Sequence, residues 1–157
     1  MRKGIRSLGL FAAGVVLGAV VVLGAIFAGW PGPKPPLPPL LRNVTAGGGW
    51  WGACPPETQE EAREQQGQPL ATSPELNQRL AHSFPSGSSE RKLVDTLRAQ
   101  GFQLLPPCTS DHSVRVAAFD QHGGGVLAFP ITANIFWKVD EADNIIWTKG
   151  FVRYVGL

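Results

Sequence analysis

The pattern of apolar and polar positions divides the chain into an anchor, a linker and an exported region. Residues 7–29 carry no charged side chain, and residues 31–49 are rich in proline and glycine. A helix over this uncharged stretch is about 34 Å long, which exceeds the ~30 Å hydrocarbon core of a bilayer. The pattern therefore predicts a transmembrane helix over residues 7–30 and a linker over residues 31–49.

The residues that flank the apolar stretch predict its orientation. Arg2, Lys3 and Arg6 precede it, and Trp30 follows it as an interfacial ring. Cations on this side keep residues 1–6 in the cytoplasm and send the C-terminal region across the inner (cytoplasmic) membrane, into the periplasm or another extracytoplasmic space. The alternative is a cleavable signal peptide, whose apolar part is shorter and ends in an Ala-x-Ala-like site.

Small residues recur along the predicted membrane helix. Gly14 and Gly18 form a GxxxG step, a spacing that lets two membrane helices approach closely. This spacing predicts a packing face through which two copies can form a homodimer. The alternative is that glycine is simply common in such anchors.

The prolines of the linker predict a spacer between membrane and domain. Proline fixes φ and lacks an N–H, so residues 31–39 favour an extended polyproline II strut of roughly 28 Å. A PxxP ligand is the alternative, but the usual flanking basic residues are absent. We expect Gly47, Gly48 and Gly49 to loosen the strut at its far end.

The exported region begins with an arm and two predicted helices. Residues 50–72 form an extended or partly helical arm whose segment 57–68 is polar on every face. The folded domain covers residues 73–157. Its first helix starts at a Ser73 cap, and its second starts near Ser88 and ends at Gly101 in a Schellman arrangement.

Beyond Gly101 the apolar period changes from 3.6 to 2, which predicts strands. They cover residues 113–120, 126–130, 133–140 and 145–157. A hairpin turn over residues 141–144 joins the last two, with Asn144 at a positive φ. The predicted fold class is therefore α+β, with two short helices followed by a three- or four-stranded antiparallel sheet, carried on a single N-terminal transmembrane helix.

Aromatic side chains provide the candidate contact residues. A hairpin loop of three or five residues places Trp137 and Trp147 on one face of the sheet, and a loop of four places them on opposite faces. Both readings, core and contact surface, stay open for these rings. The candidate interface consists of Trp50, Trp51, Phe136, Trp137 and Trp147.

Charge and cysteine usage narrow the classes of function. The chain has a net charge of +2, but residues 46–157 hold nine basic and twelve acidic side chains. An acidic exported domain has no electrostatic reason to bind nucleic acid, so we expect no such partner. Cys54 and Cys108 both lie on the exported side and are predicted to form a disulfide, with two free thiols as the alternative.

No constellation predicts catalysis. His112 and His122 lie at opposite ends of a predicted strand, roughly 26 Å apart, so they cannot share a metal ion. The chain contains no nucleophile motif, no zinc spacing and no phosphate-binding loop. We therefore expect no enzyme activity, no cofactor and no metal.

Two stretches resemble a known family. The segment "PSGSSERKLVDTLRAQGF" is similar to a helix start of the SmpA/OmlA-like domain of the outer-membrane assembly lipoprotein E family, and "FWKVDEADNIIW" is similar to its strand–acidic turn–strand. The resemblance covers about residues 73–157 and implies a small envelope scaffold that binds proteins. This chain departs from the family in lacking a lipidated cysteine after its apolar segment.

Together these observations predict a membrane-anchored extracytoplasmic scaffold. We expect its exported domain to bind another envelope protein without chemistry of its own. The alternative is a small-ligand-binding or sensory domain of the cell envelope, with a pocket between the helices and the sheet.

Overall fold

A four-stranded antiparallel sheet in the order β1-β2-β3-β4 is the central layer of the fold. Its strands are β1 (Gln103–Leu105), β2 (Val114–Gln121), β3 (Ile131–Val139) and β4 (Ile145–Tyr154). The predicted α+β class is thus confirmed. The fourth strand, β1, is one that the sequence pattern did not predict, because three residues are too few to show a period of two.

The computed structural model describes residues 36–49, 52, 54–121 and 130–154. Outside these residues lie the predicted membrane helix over 7–30 with Gly14 and Gly18, the start of the proline strut, Trp50 and Trp51, and positions 126–129 of the strand predicted over 126–130. Among the described helices, none has the length and hydropathy that crossing a bilayer requires.

In the part of the chain that the structure describes, three α-helices accompany the sheet: α1 (Gln59–Gln66), α2 (Pro74–Ser83) and α3 (Glu90–Ala99). The predicted C-terminal motif of α3 is confirmed, because Phe102 N donates to the Leu97 carbonyl at 3.0 Å and Gly101 has a φ of +84°. The N-terminal prediction was wrong by one residue. Ser89 precedes the helix, and its side chain makes no capping hydrogen bond.

Helices α2 and α3 cover one face of the sheet and form the larger core. Its buried residues are Leu40, Leu41, Val44, Leu76, Leu80, Phe84, Leu93, Leu97, Phe102, Ala117, Ile131, Ala133, Ile135, Trp137, Val139, Ile145 and Val152.

The arm covers the opposite face of the sheet and forms a smaller core. Its buried residues are Ala62, Leu70, Ala71, Cys108, Val114, Val116, Phe136 and Phe151. Helix α1 supplies only Ala62 to this core, which agrees with its polar sequence. The smaller core therefore depends on what fixes the arm in place.

The predicted disulfide between Cys54 and Cys108 is formed. It closes a loop with a sequence separation of 54 residues, which restricts the unfolded chain by about 4 kcal/mol in the chain-entropy model. The bond ties the start of the arm to the segment that follows β1. The covalent link supplements the few apolar contacts that α1 makes.

The predicted linker over 31–49 requires a correction, because its described residues, 36–49, pack on the domain. Leu40, Leu41 and Val44 are buried in the larger core. The Gln100 side-chain oxygen accepts a hydrogen bond from Leu40 N at 2.9 Å. The prolines and glycines of this segment predicted a spacer. Its apolar side chains pack on the domain instead, because burying apolar surface away from water lowers the free energy. The domain thus begins well before residue 73.

The β3–β4 hairpin contains a bulge that sets the register of the tryptophans. Val139 pairs with Ile145, but Lys138 pairs with Trp147, so one extra residue lies on β4. Five residues separate the strands, and the bulge reverses the parity that such a loop would otherwise give. Trp137 and Trp147 therefore lie on opposite faces. The positive φ of +58° belongs to Asp143, not to Asn144 as predicted.

Gly150 lets α2 approach the sheet closely. A Cβ at this position would lie 2.5 Å from Leu76 Cδ2 and 3.1 Å from Leu80 Cδ1, both in the buried face of α2. The backbone of β4 is thus in direct contact with the helix. A methyl group here would push α2 away from its own core.

We expect Gly150→Ala to lower the free energy of unfolding by about 1–3 kcal/mol, the usual effect of overpacking a core. Urea unfolding of both proteins measures this difference. Gly48→Ala is the matched control, because no atom lies within 4 Å of the added Cβ at Gly48. An equal loss in both variants would contradict the steric explanation.

A carboxylate of α2 attaches the proline-rich segment to the domain. Glu75 accepts hydrogen bonds from Thr45 N at 3.0 Å and from the Thr45 hydroxyl at 2.7 Å. These bonds stabilise the charged carboxylate and lower the pKa of Glu75 from 4.5 to about 2. Protonation of Glu75 therefore weakens the attachment.

We expect the Glu75–Thr45 bonds to contribute fully to the free energy of unfolding above pH 4.5. This contribution should be lost as the pH falls from 4.5 towards 2, because the pKa of Glu75 is lower in the folded chain than in the unfolded chain. Urea unfolding at several pH values, compared between the unmodified chain and Glu75→Gln, measures it. The difference between the two should shrink across this window. Glu64→Gln, at an exposed position of α1, is the control, and a pH-independent difference for Glu75→Gln would refute the linkage.

Candidate functional site

An open groove of about 1030 Å³ lies between α3 and the β1 side of the sheet. Helix α3 forms one wall, and β1 with the following proline forms the other. The lining residues are Ser89, Glu90, Arg91, Val94, Asp95, Arg98, Leu104, Leu105, Pro107, Arg115, Val116, Trp137 and Asp143. The groove therefore combines an apolar wall with a charged floor and charged rims.

The apolar wall is also a free edge of the sheet. All of β1 is exposed, and Leu104 and Leu105 keep 38% and 44% of their surface accessible. Among the strands that the structure describes, β1 pairs only with β2. Along an antiparallel pair, residues alternate between directing their backbone hydrogen-bonding groups towards the neighbouring strand and away from it. At least one residue of β1 therefore directs its N–H and C=O away from β2. This edge can accept another strand.

The opposite edge of the sheet, at β4, is partly covered by the chain itself. Thr72 forms a bridge to Phe151, and Ser73 N donates to the Gly150 carbonyl at 2.8 Å. The Asn77 side-chain oxygen accepts from Gly150 N at 3.0 Å. The two edges thus differ, and the middle of β4 has less room for a partner than β1 does.

A buried carboxylate organises the floor of the groove. Glu90 is 8% exposed and accepts a hydrogen bond from Trp137 Nε1 at 2.7 Å. Its other oxygen lies 3.2 Å from the Arg115 guanidinium, which also approaches the exposed Asp143 at 3.4 Å. The Nε of Arg115 is buried and has no hydrogen-bond partner among the described residues. One donor on the floor is therefore unused.

Backbone hydrogen bonds hold this floor in position. Glu90 N donates to the Asp143 carbonyl at 2.9 Å, and Ile145 N donates to the Ser88 carbonyl at 2.8 Å. The start of α3 is thereby joined to the β3–β4 turn. Asp140 shapes the same turn by accepting from Ala142 N and Asn144 N, and these bonds lower the pKa of its carboxyl.

Two of the predicted contact residues belong to the cores. Trp137 is 1% exposed and Phe136 is 2% exposed, on opposite faces of β3. The exposed contact surface predicted for both rings requires a correction, because neighbouring side chains cover Phe136, and Trp137 reaches only the floor of the groove. Trp147 is half-buried, with the Lys149 ammonium 4.1 Å above its ring. Trp50 and Trp51 lie outside the described residues.

Two lysines join the arm to the outer face of the sheet. Lys149 Nζ donates to the carbonyls of Pro56 and Glu57, the latter at 2.6 Å. Burial lowers the pKa of Lys149 to about 8. Lys138 pairs with Glu57 and with Asp111, and the hydrogen bond that Lys138 donates to Glu57 raises the pKa of the lysine. These contacts, together with the disulfide, hold the arm on the outer face of the sheet, so the charged residues there have a structural role.

The histidines do not converge on a common site in the described part of the chain. His82 and His112 are exposed, and His122 lies outside that part. Within the residues that the structure describes, no group of three or more His, Cys, Asp or Glu side chains is arranged to hold a metal ion. The expected lack of enzyme activity stays a prediction.

Sequence reasoning missed the residues that form the groove. Leu104 and Leu105 precede two prolines, a signal that marks a short strand at the edge of a sheet. Glu90 and Arg115 gave no signal, because the two residues are distant in sequence and meet only when α3 packs beside β2. A carboxylate at the start of an amphipathic helix is usually a solvated residue.

We expect Glu90→Ala to lower the free energy of unfolding by about 2 kcal/mol, because it leaves the buried Trp137 N–H unpaired. The Trp137 environment should change with it, which tryptophan fluorescence and urea unfolding together measure. Asp143→Asn is the matched control, since Asp143 contacts the same arginine but its side chain is 71% exposed. Its change should stay within about 0.5 kcal/mol. An equal decrease in the free energy of unfolding for both variants would show that pairing with Arg115, and not the hydrogen bond from Trp137, accounts for the stabilisation.

Comparison with known proteins adds no relative: no protein-family model, curated protein or solved structure matches this chain. The resemblance of residues 73–157 to the SmpA/OmlA-like domain stays a prediction on its two sequence stretches.

Proposed function

We propose that this chain is a single-pass membrane protein whose extracytoplasmic domain binds an extended segment of another cell-envelope protein. The binding site is the groove between α3 and β1, and the domain acts by binding, without catalysis. The anchor over residues 7–30, the cytoplasmic residues 1–6 and the inner-membrane location form part of the proposal and are supported by the sequence pattern.

The observation that carries this proposal is the free edge of β1 beside an open groove. Leu104 and Leu105 expose apolar surface there, whereas the other edge of the sheet is partly covered by residues 72–77. An extended peptide that adds to a sheet edge gains main-chain hydrogen bonds, and its alternate side chains contact the adjoining pocket. Here that pocket is the groove.

The shape and chemistry of the groove suit such a segment. Pro107 extends the apolar wall of β1, and Val94 adds an apolar side chain on the facing wall of α3, where Arg91 and Arg98 also lie. Neither arginine forms an ion pair within the described residues. A partner segment with apolar side chains on one face would contact the leucines of β1. An acidic side chain or a carbonyl oxygen of the same segment would accept hydrogen bonds from the arginines of the α3 rim.

The position of the domain limits which partners it can reach. Leu37 is the first described residue that packs against the larger core, so only residues 31–36 separate the domain from the predicted span. Six residues of polyproline II extend about 19 Å. We therefore propose a partner that presents its segment close to the membrane surface, in agreement with the scaffold role that the SmpA/OmlA-like resemblance implies.

A second candidate function is the binding of a small molecule in the same groove. The unused Arg115 Nε favours it, because a buried N–H without a partner can donate a hydrogen bond to a ligand oxygen. The groove volume is also in the range of small-molecule sites. The exposed leucines of β1 and the open groove favour the peptide, so the small molecule takes second place.

We expect Leu105→Lys to reduce copurification of the partner by about tenfold, because a charged edge residue opposes strand addition and removes apolar contact. In-cell crosslinking of the full-length tagged chain, followed by quantitative mass spectrometry, measures the change. Melting temperatures should not change, since Leu105 is exposed.

Ile146→Lys is the matched control, because Ile146 on β4 has the same 44% exposure as Leu105. It should leave the partner bound. A partner lost with Ile146→Lys but kept with Leu105→Lys would move the interface to the hairpin. Unchanged copurification in both, together with a ligand-induced rise in melting temperature, would favour the small-molecule function.

A further inference from the structure

A second cleft, distinct from the groove, lies on the other side of α3. It has a volume of about 570 Å³ and lies between α2, α3 and the segment that contains Pro39 and Leu40. Its ionisable lining residues are Arg79, His82 and Lys92, and no acidic side chain lines it. The cleft is therefore basic, although residues 46–157 carry an excess of acidic side chains.

The cations of this cleft are held by backbone carbonyls and not by carboxylates. Arg79 donates to the carbonyls of Leu40 at 2.8 Å and Pro39 at 3.3 Å. Lys92 donates to the Ser83 carbonyl at 3.4 Å and lies 5.9 Å from the Phe84 ring centroid. Carbonyls orient these side chains without neutralising them, so their positive charge remains available to an anion.

The ion pairs of the described residues lie elsewhere. All of them involve Arg115 or Lys138, which lie on the groove floor and on the outer face of the sheet. Arg42, which follows the segment that lines the cleft, donates to the Leu37 carbonyl at 3.1 Å and forms no ion pair within the described residues. The cleft thus holds Arg79 and Lys92 without an acidic partner beside the segment where the chain enters the domain, while Arg91 and Arg98 are the corresponding cations on the groove side of α3.

We propose that this basic cleft binds anionic phospholipid headgroups of the membrane that holds the anchor. Charge complementarity supports this occupant, since phosphate groups match an arginine and a lysine that have no acidic partner. Chain length supports it as well, because Pro39 lines the cleft and follows the predicted span by only nine residues. The proposal rests on the anchor of the proposed function but does not use the β1 groove, so a loss of lipid binding at the cleft and a loss of peptide binding at the groove are measured independently.

The test measures how fast Lys92 is acetylated in the full chain. The chain is reconstituted in vesicles of phosphatidylcholine alone, or of phosphatidylcholine with about one-third phosphatidylglycerol. Peptide mass spectrometry gives the rate for Lys92 relative to Lys138, which is paired on the outer face of the sheet. This ratio corrects for differences in reagent concentration and protein amount between the two preparations, and the comparison of Arg79→Gln with Arg98→Gln separates a bound headgroup from a general effect of the anionic surface.

We expect the Lys92/Lys138 ratio to fall about fivefold in the anionic vesicles, the factor that corresponds to one basic residue at such a surface. The effect should disappear at high salt because the attraction is screened. Arg79→Gln should weaken the protection of Lys92. Arg98→Gln, which removes the same charge from the groove side of α3, should leave it unchanged.

Several results would overturn the proposal. One is an equal ratio in both kinds of vesicle, and another is protection that persists at high salt. Equal effects of Arg79→Gln and Arg98→Gln would show a general charge effect without a site. Protection by millimolar inorganic phosphate in phosphatidylcholine vesicles, with none from phosphatidylglycerol, would assign the cleft to a soluble anion and not to the membrane.

Discussion

Burial of the central strand on both faces is the constraint on which the rest of the structure depends. Along β3, Ile135, Phe136 and Trp137 are all buried, although successive side chains point to opposite faces. Neither face can be left to solvent without exposing a large aromatic ring. The helices α2 and α3 cover one face. The other is covered by an arm with little apolar surface, which is why a disulfide and two lysine contacts hold the arm there.

The alternation of side chains along β3 connects this packing to the groove. It places Trp137 towards the helices with Ile135 and Val139, and the indole N–H of Trp137 meets Glu90 at the start of α3, whereas the bulge in β4 places Trp147 on the other face. Glu90 then pairs with Arg115, and these three side chains form the floor of the groove. The charged floor is thus a consequence of the way one buried tryptophan satisfies its polar atom.

Helix α3 separates two surfaces of different chemistry. On one side, Val94 and Arg98 face the groove beside the exposed edge of β1; on the other, Lys92 and Thr96 face the basic cleft. The proposed functions follow this division, with a protein segment on one side and the membrane surface on the other.

The sequence by itself determined the elements whose signals are local. The polar α1, the amphipathic α2 and α3, the Schellman end at Gly101 and the three long strands all follow from periodicity and turn chemistry over a few residues. Only the tertiary structure decided the site. The packing of residues 36–44, the bulge that separates Trp137 from Trp147, and the meeting of Glu90 with Arg115 depend on residues distant in the chain. Local patterns cannot encode such contacts, because burial and register are set by which surfaces meet after the elements have formed.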